Sequence, residues 1–158
     1  MPSNNPSSFL HYSMAILSAM ILTIAPWPDS VSVSMPDWVL LVLLHWSLSA
    51  SNELSIGKAW SIGLLMDVLM GQVLGQYALS YAVSIVLSEQ QYKRINAMPL
   101  FQQSLFIMSV LFLARIFMFW VEKLEYVSLP SYLLVPVLIG GFIWFMMLSL
   151  FSKLRFHY

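Results

Sequence analysis

The chain has 158 residues, 59% of them hydrophobic and only 9% charged. A soluble domain carries about 25% charged residues. The deficit, with a mean hydropathy of +0.79, excludes an ordinary soluble domain and reads as an integral membrane protein. Zero net charge gives no electrostatic reason to expect nucleic acid, and the absence of cysteine excludes disulfides and thiolate metal sites.

A spanning helix needs roughly 20 apolar residues, fewer if its flanks snorkel. The first predicted span is 9–25, ended by Pro26, Trp27 and Pro28. Its leading residues carry no Lys or Arg, and Ala25 is followed by Pro26; both features argue against a cleaved signal peptide. The second span, 36–50, opens on Pro36, Asp37 and Trp38: proline suits a first helical turn, aspartate complements the positive end of the helix dipole, and tryptophan suits the membrane interface. The third and fourth, 57–71 and 74–88, are both short. Read as one helix they would run about 48 Å, too long for a ~30 Å hydrocarbon core, so two spans joined by a tight glycine-rich turn fit better. A polar segment with Lys93 and Arg94 follows, then spans 100–121 and 132–151, the last containing Pro136, Gly140 and Gly141. No polar stretch is long enough for a second domain, so 1–158 is read as a single transmembrane domain.

Six spans place Lys58, Lys93, Arg94, Lys153 and Arg155 on one side, and Lys123 with Asp29, Asp37, Glu122 and Glu125 on the other. The positive-inside rule makes the first side, with both termini, cytoplasmic. The expected architecture is therefore all-α, with six transmembrane helices.

Two charges fall inside spans. Asp67 lies about 6 Å and Arg115 about 9 Å from the outer helix ends. Each is costly in hydrocarbon unless compensated, so matching depth suggests a pair across the bundle; the alternative is separate satisfaction, Asp67 on backbone or serine donors and Arg115 by snorkelling. Gly63, Asp67, Gly71 and Gly75 recur every four residues, and small residues at that spacing let helices approach closely. This packing stripe serves either the bundle or a partner helix. A candidate partner-facing outer rim is formed by Pro26, Trp27, Pro28, Pro36, Asp37, Trp38, Trp120 and Glu122, where aromatics and prolines present a stiff surface. Trp46 and Trp144 lie deeper and are expected to pack within the bundle, and His11 and His45 read as packing residues rather than a proton relay.

No phosphate-binding loop, G-x-S-x-G or H-E-x-x-H motif occurs, and the Glu122/Glu125 pair has no accompanying His or second acid pair. Neither catalysis nor a cofactor or metal is expected. What remains is a membrane subunit that binds other proteins or carries a small solute.

Several motifs together resemble the rod shape-determining MreD family, closest to its gammaproteobacterial form. They are Pro26-Trp27-Pro28, the run from Met35-Pro36-Asp37-Trp38 to Leu41, the Gly63-x-x-x-Asp67-x-x-x-Gly71-x-x-Leu74-Gly75-x-x-Ala78-Leu79 run, Phe101-Gln102-Gln103, and Phe119-Trp120-x-Glu122. The resemblance covers nearly the full length. It implies a bacterial inner-membrane scaffold of lateral wall elongation that binds MreC and, through it, the actin-like MreB, the polymerase RodA and its class B transpeptidase. It also implies a likeness to the six-helix S components of energy-coupling-factor transporters; a solute-binding subunit of that kind is the alternative reading. Arg115 departs from the family pattern, so a pair with Asp67 would be particular to this chain. Lys93 and Arg94 suit contact with anionic membrane lipid.

Overall fold

Prolines and caps set the limits of the helices. In the computed structural model, which describes residues 6–28, 31, 34–48, 55–122 and 131–155, the first helix, α1 (Pro6–Ile24), begins at one proline and ends just before another. The Trp27 indole N–H donates to the Leu22 carbonyl at 3.0 Å, satisfying one of the acceptors that a helix C-terminus leaves open. Helix α2 (Trp38–Ser47) is capped by Asp37, whose carboxylate accepts from the Leu40 N–H at 3.0 Å. Pro36 therefore precedes the cap instead of occupying the first turn expected for it.

Helices α3 (Ile56–Met70) and α4 (Gln76–Gln90) form a hairpin. Gly71 ends α3 in the left-handed conformation (φ 64°), its N–H reaching back to the Asp67 and Val68 carbonyls, and Gly75 opens α4 with φ 100°. Side chains other than glycine are strained in this region, which fixes where the turn falls. The expected fourth helix thus starts two residues late, at Gln76. A short helix, α5 (Tyr92–Asn96), occupies the segment read as merely polar; the fully buried Ile95 anchors it. Helices α6 (Leu100–Glu122) and α7 (Ser131–Arg155) complete the fold. They pack closely because two glycines of α7 meet α6. A Cβ on Gly140 would stand 2.9 Å from Leu111 Cδ1, and one on Gly141 would meet Met108.

The architecture is all-helical: seven helices and no strand among the described residues. The core lies where α2, α4 and α6 meet. It is filled by Val39, Leu43 and Leu44 of α2, Tyr81 and Ile85 of α4, and Ile107 and Val110 of α6, with Trp144 of α7 closing it. Helix α1 lies on α2 through Ile16, Ala19 and Met20. Residues Leu100–Phe119 of α6 are long and apolar enough to cross a membrane; Tyr12–Ile24, Trp38–Ser47 and Leu134–Ser149 are apolar but shorter. Large apolar side chains such as Ile21, Phe101 and Phe142 are exposed, which suits a lipid-facing surface.

Candidate functional site

Two carboxylates, the buried Asp67 and the partly buried Asp37, sit at one end of the bundle, where α1, α3 and α6 finish and α2, α4 and α7 begin. Asp67, one turn before the end of α3, is wholly buried. Its Oδ2 accepts from the Gly75 N–H at 2.8 Å and the Ala78 N–H at 3.4 Å; its Oδ1 accepts from the Tyr77 N–H at 2.7 Å. The carboxylate thus caps the next helix from outside it. A helix N-terminus offers unpaired N–H donors and a partial positive charge, so one aspartate closes the hairpin and is compensated by it. This is the separate-satisfaction alternative: Asp67's hydrogen bonds run to backbone, with no need of the Arg115 partner that matching depth suggested.

The stripe expected of Gly63, Gly71 and Gly75 divides. Gly63 does lie in the α3–α4 contact: a Cβ there would collide with Ala78 Cα and sit 2.7 Å from the Ala78 nitrogen. Gly71 and Gly75 are not on that face. They have left the helix, and a Cβ on either would meet nothing within 4 Å. Their value is the positive φ of the turn.

The second carboxylate, Asp37, is bound from two directions. Besides capping α2 it accepts from the Tyr81 hydroxyl, 2.9 Å from each carboxylate oxygen. Tyr81 is fully buried on α4, so this bond ties α2 to α4 across the core. Asp37 is consequently more than a rim residue, and Pro36 beside it is buried. The neighbouring helix contact is polar too. The Gln76 side-chain amide donates to the Met118 carbonyl at 3.1 Å, and the Ser80 hydroxyl reaches the Ala114 carbonyl at 3.5 Å. Ser84 and Ser88 continue the buried row, each donating to the carbonyl four residues back.

Arg115 and Asp37 line one cleft, and the Arg115 charge acts on the Asp37 carboxylate. This cleft of about 270 Å³ is bounded by Leu22, Thr23, Ala25 and Trp27 of α1 and its exit, by Met35–Trp38, and by Met70, Tyr77 and Arg115. Trp38, partly buried in its wall, carries an indole N–H with no hydrogen-bond acceptor among the described residues. A tighter recess shares Pro36, Asp37 and Arg115 with the cleft and adds Leu40, Leu111, Ala114, Met118, Pro136 and Val137.

The rim residues therefore fall into groups. Pro26, Trp27 and Pro28 are exposed, Pro36, Asp37 and Trp38 form the cleft wall, and Trp120 and Glu122 lie in the last turn of α6 with side chains outside the described residues. Lys123 and Glu125 lie outside the described residues altogether. At the opposite end Lys93 and Arg94 are exposed. In the middle, Trp144 is buried with His45 edge-on at 6.1 Å, and the half-buried Trp46 packs edge-on against Tyr12 at 5.2 Å. Among the described residues no group of three His, Asp or Glu is placed to hold a metal ion.

Three features of α4 have no place in the sequence analysis: the Asp37–Tyr81 bond, Gln76, and the Ser80–Ser84–Ser88 row that runs along it. The last had a visible signal, since serines four apart share a helix face.

An all-helical protein with an apolar exterior, and with its buried charges held by helix ends and a tyrosine hydroxyl, is a membrane protein organised around helix packing and an end-on cleft. The comparisons define it further: the model of the rod shape-determining protein MreD family matches residues 7–154. The Haemophilus influenzae rod shape-determining protein MreD is 31% identical over 138 residues, covering 87% of this chain and 85% of that protein. The chain belongs to the MreD family. Membership gives it a role in determining rod shape, as a structural protein rather than an enzyme. No solved structure matches it.

Proposed function

We propose that this protein is a six-span scaffold of the bacterial inner membrane, with both termini cytoplasmic, that binds MreC and thereby helps to organise the peptidoglycan synthases of wall elongation, MreB and RodA with its transpeptidase being reached indirectly. The observation that carries this reading is the cleft between the α1 exit, the start of α2 and Arg115. It sits at the end that the charge distribution assigns to the outside. It combines exposed Trp27 and Pro28 with a buried indole donor at Trp38 and an acidic–basic pair of groups, a mixture suited to a protein segment with both apolar and acceptor groups. Basic Lys93 and Arg94 at the other end suit anionic lipid of the cytoplasmic leaflet.

The test is co-purification from mild detergent of the tagged full-length protein, wild type against Trp27→Ala and Arg115→Ala, with monodispersity as the folding control. Recovery of an MreC-like protein by wild type, and its loss with folded variants, supports a scaffold acting through the cleft. Recovery undiminished by both variants moves the partner to another surface. Recovery of two ATPases and a coupling subunit would instead favour a solute-binding subunit, whose cleft would be slightly smaller than the usual ligand pocket of about 300–1,000 Å³.

A further inference from the structure

The helices of the α3–α4 hairpin are much shorter than α6 and α7. Each of its helices has 15 residues, which gives about 22 Å of rise against a hydrocarbon core of about 30 Å. Helices α6 and α7, with 23 and 25 residues, give about 35 and 38 Å. Both strands of the hairpin agree. From the exposed Lys58 to the end of α3 at Met70 is about 18 Å, and from Glu89 to the start of α4 at Gln76 about 20 Å. Tilting only lowers the tip further. Lysine can lower its backbone a few ångströms by snorkelling, and the shorter Glu89 less, so neither restores the missing length.

We infer that the turn 71–75 lies submerged in the hydrocarbon of the outer leaflet, covered by lipid acyl chains and not by water. This rests on the proposed six-span orientation. The tip is chemically suited to such a place. It exposes two large apolar side chains, Val73 at 63% and Leu74 at 71%, beside the polar Gln72. Irregular backbone is tolerated at membrane depth only where the protein itself satisfies the polar groups. Three of the five N–H groups of the turn are met within the chain: Gly71 reaches the Val68 carbonyl at 3.4 Å, Gln72 donates to the Asp67 carbonyl at 3.0 Å, and Gly75 donates to the Asp67 carboxylate, while the Gln76 N–H beyond it donates to the Val73 carbonyl at 3.1 Å. The Gly75, Tyr77 and Ala78 N–H groups share the Asp67 carboxylate. Water at a surface turn would serve those three donors without an acid. A buried aspartate that serves them all is what a turn needs when water is out of reach. With Met70 and Tyr77 also lining the cleft, the low hairpin leaves the cleft wall on this side below the outer membrane surface, in contact with lipid.

The chain's lack of cysteine makes the test direct. Single cysteines at Val73, Leu74, Leu113 and Val31, all exposed positions, are introduced into the full-length protein in membranes. Each is spin-labelled, and its collisions with oxygen and with a water-soluble nickel chelate are compared. Leu74→Cys and Val73→Cys should match Leu113→Cys on α6, rich in oxygen and poor in nickel, whereas Val31→Cys should show the reverse. A membrane-impermeant maleimide should modify Leu74→Cys at least about tenfold more slowly than Val31→Cys, since only the thiolate reacts and hydrocarbon disfavours it. If 73 and 74 behave like 31 while 113 remains lipid-like, the submerged turn is wrong and the spanning reading survives. If 113 is water-exposed as well, both fail.

Discussion

Replacing Asp67 isolates the energetics of the hairpin. Asp67→Ala strands two short-range donors, the Gly75 and Tyr77 N–H groups at 2.8 and 2.7 Å, and a longer one from Ala78 at 3.4 Å. A buried unsatisfied donor costs about 1–3 kcal/mol, and losing a charge at a helix N-terminus adds about 0.5–1 kcal/mol, so the expected destabilisation is about 3–5 kcal/mol. Asp67→Asn keeps one acceptor oxygen and turns an NH2 group toward a backbone donor, for about 2 kcal/mol. At about 2–4 °C per kcal/mol for a chain of this size, melting of the purified protein should fall by about 10 °C for alanine and about 5 °C for asparagine. Tryptophan fluorescence with size exclusion would follow it. If Asp67→Asn melts within about 1 °C of wild type, the capping argument fails, because that variant removes the charge and one acceptor while keeping the shape.

Asp67→Asn and Arg115→Gln should add within about 0.5 kcal/mol in a double-mutant cycle, whereas Asp37→Asn and Arg115→Gln should couple by more than that, since Asp37 shares the cleft with Arg115; the reverse pattern would restore the Asp67–Arg115 pair. Gly63→Ala should cost more than the usual 1–3 kcal/mol of overpacking, because what it strikes is the α4 backbone and not a movable side chain, and its melting temperature should fall below that of Gly141→Ala, which displaces only Met108. Gly71→Ala should cost about 1–2 kcal/mol through its positive φ alone, with no loss of α3–α4 packing, and substitution by Asn should recover part of it. Tyr81→Phe should cost about 1–2 kcal/mol by removing the hydroxyl that joins α4 to Asp37, measured by the same melting assay.

What could be read from the residues follows from how far each constraint reaches along the chain. Composition and apolar runs gave the all-helical membrane class, because hydrophobic burial and helix periodicity are local properties. The short hairpin was also legible: a single helix would have been too long, and glycines marked the break. Their function was not, because a spacing of four describes both a helical stripe and a run in which the second glycine ends one helix and the third begins the next. Gly63 obeys the first description; Gly71 and Gly75 obey the second. Depth alone could not choose a partner for Asp67, since a backbone donor has no signature in sequence. The three that bind it lie 8–11 residues onward, across a turn that spacing alone reads as part of the stripe. The Asp37–Tyr81 bond spans 44 residues and depends on α2 meeting α4, a fact of tertiary packing that no local pattern encodes. The same distinction orders the functional argument. Asp67 and Tyr81 hold the end of the bundle in shape, each saturated by partners within the chain, so their loss should act through folding. Trp27 and Pro28 are exposed, and the Trp38 indole N–H meets no acceptor among the described residues, so under the proposed scaffold reading their loss should act on binding and not on folding. Variants of the first set that abolish binding while leaving stability untouched would contradict that division.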